Sequence, residues 1–367
     1  MTYNPQTQEA VSLLQRLIAT PSVSRDEAAA ADIIFQYLCE RGAQPQRLGN
    51  NVWALSPNFD ASLPTILLNA HIDTVKPVSG WQRDPFTPTL EGDRLYGLGA
   101  NDCGGGLVSL LTTFLSIHNS QFTIHNSQFA IHNSQFSKRS TPNFIFLASA
   151  EEEVSGGSGI ESVRERLPKI DFAIVGEPTG MQPAIAEKGL MVVDAVAQGR
   201  AGHAARNEGV NAIDIAIDDI RRLKDIEWKS SPLLGSVKTT VTIINAGTQH
   251  NVIPDTCLFT IDVRSNECYT NEEIFGILQQ KLRSKLKARS FRLSSSSIPL
   301  EHPFVQRCIV MGMKPFGSPT LSDQALMPWP SLKLGPGDSA RSHTADEYIC
   351  LSEIEQAIQL YQALLTL

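Results

Sequence analysis

His71 and Asp73 close the segment TILLNAHID, whose apolar run Ile66-Leu67-Leu68 follows Pro64 and predicts a buried strand. Side chains alternate along an extended chain, so this imidazole and carboxylate project from one face. A metal ligand and the carboxylate behind it have that arrangement; the plain alternative is a strand-end histidine beside a solvated aspartate. Similar groups follow other apolar segments: Asp102 in GLGANDCGGG, Glu152 and Glu153 in AEEEV, Glu177 in GEPT and His343 in ARSHTADEY. Two imidazoles with several carboxylates suit a pair of zinc ions held by nitrogen and oxygen. Glu152 and Glu153 are adjacent and point apart, so one can bind metal while its neighbour takes a proton from water. Zinc lowers the pKa of bound water to about 7 and polarises a carbonyl, as amide hydrolysis near neutrality requires.

These residues must be carried to one place by the elements between them. Helical spacing runs over 6–18, and Ser24 with Glu27 reads as a capping box opening a helix that runs to Gly42. Asn51–Leu55, Thr65–Asn69, Asn143–Ala148 and Asp171–Val175 read as strands, with an apolar helix after the glycines at 104–106. Strands alternating with helices predict an α/β sheet with its active site beyond the carboxyl ends of the strands. The glycine cluster is neither a Walker loop nor a dinucleotide fingerprint.

The pattern changes near Ala186. Gly189–Ala197, Lys238–Asn245 and Leu258–Val263 read as strands, Val210–Leu223 and Asn271–Leu286 as helices, and Ser290–Leu293 as a final strand. The second helix carries a Thr270/Glu273 box. The order βαββαβ is the split, ferredoxin-like unit. A catalytic domain over 1–185 plus 294–367, with an inserted domain over 186–293, is therefore expected. Pro303–Met313 should be a helix, Ser331–Leu334 a strand, and Ser352–Leu365 a closing helix with a Ser352/Glu355 box.

Composition narrows the class. A net charge of −7 without a long basic run argues against nucleic acid as the main partner. No apolar stretch is long enough to span a bilayer and no secretory signal is visible, so a cytoplasmic protein is expected. The six cysteines are scattered without a CxxC pair, which predicts reduced thiols and no thiolate zinc site. IHNSQF occurs three times within 117–136 and reads as a duplicated insertion in a surface connection, without a catalytic role. His250 and His302 read as loop or cap histidines.

The order HID, GxGxxDxGG, EEE, GEPT and SHTADE, with an insert carrying GRAGHAAR, resembles the dinuclear zinc amidohydrolase/exopeptidase family along nearly the whole chain. The likeness is nearest to its acetylornithine deacetylase and succinyl-diaminopimelate desuccinylase branch. That resemblance implies two Zn2+ ions, with Co2+ or Mn2+ able to substitute. His71 and Glu177 would hold one ion, Glu153 and His343 the other, and Asp102 would bridge them. It gives Asp73 the task of orienting His71 and Glu152 that of general base. His203 on the insert would stabilise the oxyanion in a partner subunit's site, which makes a homodimer functional. Arg264 would grip a substrate carboxylate, and Asn251, Gly335 and Gly337 would line the pocket. The implied reaction is hydrolysis of N-acetyl-L-ornithine to L-ornithine and acetate. Alternatives are succinyl-ornithine or succinyl-diaminopimelate as substrate, a dipeptidase or carboxypeptidase, and an inactive binding relative. One departure is local: the family often has Lys two residues after the bridging Asp, where this chain has Gly104.

Overall fold

A computed structural model describes residues 3–57, 59–118, 142–206 and 208–365. Beyond His118, the IHNSQF repeats lie outside the described residues. The chain divides into two compact units: Met1–Ile185 with Ile298–Phe316 and Ser322–Leu367, and Ala186–Ser297 with Gly317–Leu321.

The first unit is built on a mixed sheet whose strand order is Gln46–Leu48, Asn51–Leu55, Asn143–Ser149, Thr65–His71, Phe172–Val175, Ser331–Lys333, Ala184–Glu187. Thr65–His71 runs parallel to both neighbours, with His71 opposite Ser149 and Asn69 opposite Val175. Every residue of Thr65–His71 and Asn143–Ser149 is buried. This explains why both read as unbroken apolar runs: a sheet covered on both faces has no polar side to alternate with. Helices Pro5–Ile18, Gly105–His118 and Leu351–Leu365 pack together, with the middle one against the central strands. Residues 105–115 of that helix are all buried, as an all-round apolar helix must be.

The first residues of that helix come unusually near another loop. A Cβ on Gly106 would lie 1.7 Å from the carbonyl oxygen of Gly176, so only glycine lets the helix seat against the loop carrying Glu177.

The second unit has an antiparallel sheet in the order Lys238–Ala246, Thr256–Ser265, Gly189–Gln198, Lys285–Ala288. Gly189–Gln198 alternates between buried and half-buried residues. Its inward residues Met191, Val193, Ala195 and Ala197 meet Ile274 and Leu278 of helix Asn271–Lys281 in one core. With helix Ala212–Lys224, the order is βαββαβ.

Several local expectations need correction. The Thr270/Glu273 capping box forms as expected, but its helix stops at Lys281 and the last strand is Lys285–Ala288 rather than Ser290–Leu293. The reason is Asp219, fully buried on the other helix: it accepts the backbone N–H groups of Arg283 and Ser284 at 3.0 and 2.8 Å and draws the chain out of the helix. Ser24 does not cap a helix; it donates to Asp73 at 2.7 Å, and the helix begins at Ala28. Ser352 lies inside helix Leu351–Leu365 and bonds Asp93, while Glu355 accepts from Asn4 at 3.0 Å. His302 does cap its helix, accepting from Phe304 N at 3.3 Å. All six cysteines are free. Among the described residues, no helix is long and apolar enough to cross a membrane.

Candidate metal centre

Parallel register brings three strand ends side by side: His71 closes one, Ser149 leads into Glu152 and Glu153, and Val175 leads into Glu177. Asp102 arrives from the short helical turn Ala100–Gly104, which precedes the buried helix. His343 arrives on the irregular loop before Tyr348–Cys350, with a left-handed φ of 59°.

The two oxygens of Asp102 face different imidazoles. Its Oδ1 lies 3.2 Å from His71 Nε2, and its Oδ2 lies 3.6 Å from His343 Nε2. Glu177 Oε1 stands 3.7 Å from His71 Nε2, and Glu153 stands 3.0 Å from His343 Nε2. Glu152 Oε2 lies 3.9 Å from His71 Nε2. Ligand atoms around a tetrahedral ion with bonds near 2.1 Å are separated by about 3.4 Å, so these spacings fit cations between the side chains. Glu177 Oε1 is buried without a hydrogen-bond partner, and a buried carboxylate oxygen needs a proton or a cation.

The electrostatics agree. Burial, with the charges of Glu177, Asp323 and Glu153, pushes the Glu152 carboxyl well above the usual range. Burial and the adjacent Asp102 push Glu177 up to about 8. For Asp102 burial acts upward, but the His71 ring outweighs it and holds the carboxyl low. His343 is raised to about 9, chiefly by its hydrogen bond with Glu153. So much negative charge drawn around two imidazoles is the balance that bound cations satisfy.

Asp73 acts differently from the expectation. His71 Nδ1 meets the backbone carbonyl of Asp73 at 2.8 Å, while the Asp73 carboxylate lies 3.6 Å away. That carboxylate instead accepts the backbone N–H groups of Glu152 and Glu153, at 3.0 and 3.1 Å, and the Ser24 hydroxyl. A single residue thus orients the imidazole with its main chain and fixes the glutamate loop with its side chain. Cys103 lies near His71 and Glu177, but its thiol points to the His71 carbonyl oxygen at 3.7 Å and burial pushes it up to about 12. It is a protonated core thiol.

Gly335 and Gly337 pack behind the ligand loops. A Cβ on Gly335 would lie 2.5 Å from the carbonyl oxygens of Gly176 and Glu177, and one on Gly337 would lie 2.2 Å from Asn101 Oδ1. Gly335 thus sets backbone against backbone, and Gly337 sets backbone against the Asn101 side chain. His203, Asn251 and Arg264 belong to the second unit. There His203 pairs with Val252 in a two-residue ladder, and Ala204 N donates to Asn251 O. Arg264 forks onto Asp262 at 2.9 and 3.2 Å.

Two buried acids were not singled out from sequence. Glu347 accepts N–H bonds from Gly99, Asn101 and Asp102 at 3.1, 2.8 and 2.9 Å. Asp323 accepts the Ser149 hydroxyl at 2.6 Å, and burial pushes its carboxyl up to about 6. Glu347 lies within the SHTADE segment, the only signal that could have marked it; nothing local marks Asp323.

Imidazoles and carboxylates gathered about Asp102 have the composition of a metal centre with nitrogen and oxygen ligands. The profile of Peptidase family M20/M25/M40 matches residues 67–367, and the chain belongs to that family. Acetylornithine deacetylase of Proteus mirabilis is 28% identical over 385 aligned positions, covering 95% of this chain and 94% of that protein. The Shigella sonnei enzyme of the same name is 29% identical, covering 92% of each. Among solved structures, aminopeptidase PepT of Bacillus cereus superposes with a TM-score of 0.76 at 17% identity, covering 99% of this chain and 98% of that one. Bacillus subtilis YXEP, described as a dinuclear metal-binding peptidase of the M20 family, gives 0.70 at 17% identity, covering 98% and 97%. At such identities the likeness to these structures is one of fold. The chain is an M20-family hydrolase.

Proposed function

We propose that this hydrolase cleaves the amide of an N-acyl amino acid, converting N-acetyl-L-ornithine and water to L-ornithine and acetate. The observation that carries the reading is the division of the Asp102 carboxylate between His71 and His343. The near full-length similarity to acetylornithine deacetylases supports the choice of substrate. In this reading His71 and Glu177 would hold one Zn2+, Glu153 and His343 would hold the other, and Asp102 would serve both. When bound, the ions supply Lewis-acid polarisation of the acyl carbonyl and lower the pKa of water.

Glu152 takes the proton of the attacking water as the new carbon–oxygen bond forms. It returns that proton to the departing amine as the carbon–nitrogen bond breaks. Glu152 Oε2 stands 3.9 Å from His71 Nε2, at the edge of the ligand cluster, where a proton acceptor for that water belongs. His203 donates to the tetrahedral oxyanion in a neighbouring subunit. Arg264 binds the substrate carboxylate by exchanging its fork from Asp262 to the ligand. Asn251 is assigned to substrate binding as well.

A homodimer through the second unit is part of the proposal. Strand Lys238–Ala246 is an edge strand whose outer side pairs with no strand among the described residues, and it exposes Ile243 and Ile244. Such an edge is a template for pairing with another chain. The free cysteines support a reducing, cytoplasmic setting.

The test is a rate comparison of acetyl-ornithine, succinyl-ornithine and succinyl-diaminopimelate with metal-analysed protein. Preference for a succinyl substrate would replace the acyl assignment. Two bound ions with no turnover of any of the three would remove the amidohydrolase reading.

A further inference from the structure

We propose that Glu347 is a positioning residue that locks the bridging carboxylate Asp102 and the ligand His343 into one rigid body. The inference rests on the two-ion reading above and assigns what keeps the bridge in place.

Asp102 sits in a turn whose own backbone bonds are few, and Gly99 within it has φ 73°. The N–H groups of Gly99, Asn101 and Asp102 all turn inward and need acceptors. Glu347 supplies them: its Oε1 takes Asn101 and Asp102, and its Oε2 takes Gly99. Its backbone carbonyl accepts from Gly97 at 3.0 Å. Only a carboxylate presents acceptors on both atoms, since Gln would turn an NH2 group toward one of those N–H donors. Glu347 is 2% exposed, so its bonds do not compete with water.

Glu347 is four residues beyond His343 on the same loop. A second set of bonds joins that loop to the turn: Asn101 Nδ2 donates to Asp338 O at 3.0 Å and to Ser342 Oγ at 3.2 Å. Asp338 N donates back to Asn101 Oδ1 at 3.1 Å. The loop has no regular structure at His343 and Asp346, both at left-handed φ. Its attachment to the turn therefore substitutes for secondary structure. Without Glu347, Asp102 could rotate away from His343, and the two sites would lose their shared ligand.

The experiment compares full-length wild type with Glu347→Gln and Glu347→Asp, each loaded with Co2+. Stepwise affinity is read by calorimetry and ion–ion spin coupling by electron paramagnetic resonance. Wild type is expected to take two coupled ions. Glu347→Gln should bind the first within about threefold of wild type, bind the second at least about tenfold more weakly, and lose the coupling. Glu347→Asp, which keeps the charge but not the reach, should recover part of the coupling. Two ions in Glu347→Gln with wild-type affinity and coupling would overturn the proposal while leaving the two-ion reading intact. A wild type that binds fewer than two ions removes both. Should the variants not fold, amide exchange in metal-free wild type decides: protection at Asn101 and Asp102 supports the proposal, and free exchange there overturns it.

Discussion

Asp73 grips Glu152 by its main chain: the Asp73 carboxylate accepts the Glu152 N–H at 3.0 Å, leaving the Glu152 side chain free to act. The same carboxylate holds Glu153 N at 3.1 Å, so one acid fixes the main chain of both glutamates. Asp73→Ala should therefore impair more than the imidazole. A fall in kcat of about 10–100-fold with weakened metal binding is expected. Kinetics combined with metal analysis checks it; loss of metal from the His71 side alone would restrict Asp73 to orienting the imidazole.

Glu152→Gln keeps the size and loses the proton acceptor. Turnover should drop by about 10²–10⁴-fold, with both ions retained by elemental analysis. Activity near wild type would move the base elsewhere.

Gly106→Ala tests the approach of the buried helix to the Glu177 loop, where a Cβ would come within 1.7 Å of Gly176 O. Displacing that loop should cost on the order of 1–3 kcal/mol, seen as a lower melting temperature. Weaker metal binding should accompany it, because Glu177 is carried along. A variant that melts like wild type would show that the loop yields freely.

Metal removal should make stability depend on pH in a definite direction. In the metal-free protein Glu177 is raised from 4.5 to about 8, Glu347 to about 7 and Asp323 from 3.8 to about 6, each chiefly by burial. His343 is raised from 6.5 to about 9, chiefly by its bond to Glu153. A raised folded pKa contributes stability that is complete below the unfolded value and lost as pH climbs through the folded one. Asp102, held low, acts oppositely but is outnumbered. Chelator-treated protein should thus melt progressively lower from about pH 4 to pH 9, and zinc should restore most of the loss at the alkaline end. Equal melting temperatures across that range would contradict the charge balance described.

His203→Ala mixed with Glu152→Ala should recover part of the activity if His203 serves the neighbouring subunit, since a hybrid dimer then holds one complete site. Verified hybrids without recovery would rule out action in trans.

What could be read in advance followed the range of the interactions. The strand expected at Thr65–Asn69 announced itself through Ile66, Leu67 and Leu68, because a strand covered on both faces carries apolar side chains on each. The Thr270/Glu273 box was legible because both partners lie within one turn. Ser24 and Glu27 have the same spacing, yet Asp73, 49 residues away, takes the Ser24 hydroxyl. Glu347 and Asp323 escaped notice for the same reason. Their partners are groups 245 and 174 residues distant, and spacing along a chain carries no trace of that. The helix that stopped at Lys281 met Asp219, a residue of another helix.

The pairing of His71 with Ser149 and of Asn69 with Val175 has one more implication. Adding or deleting one residue inside that strand would swing the imidazole to the sheet's opposite side. Exchanging one apolar side chain there for another leaves its direction untouched. Residue count, more than residue identity, is what this strand must conserve.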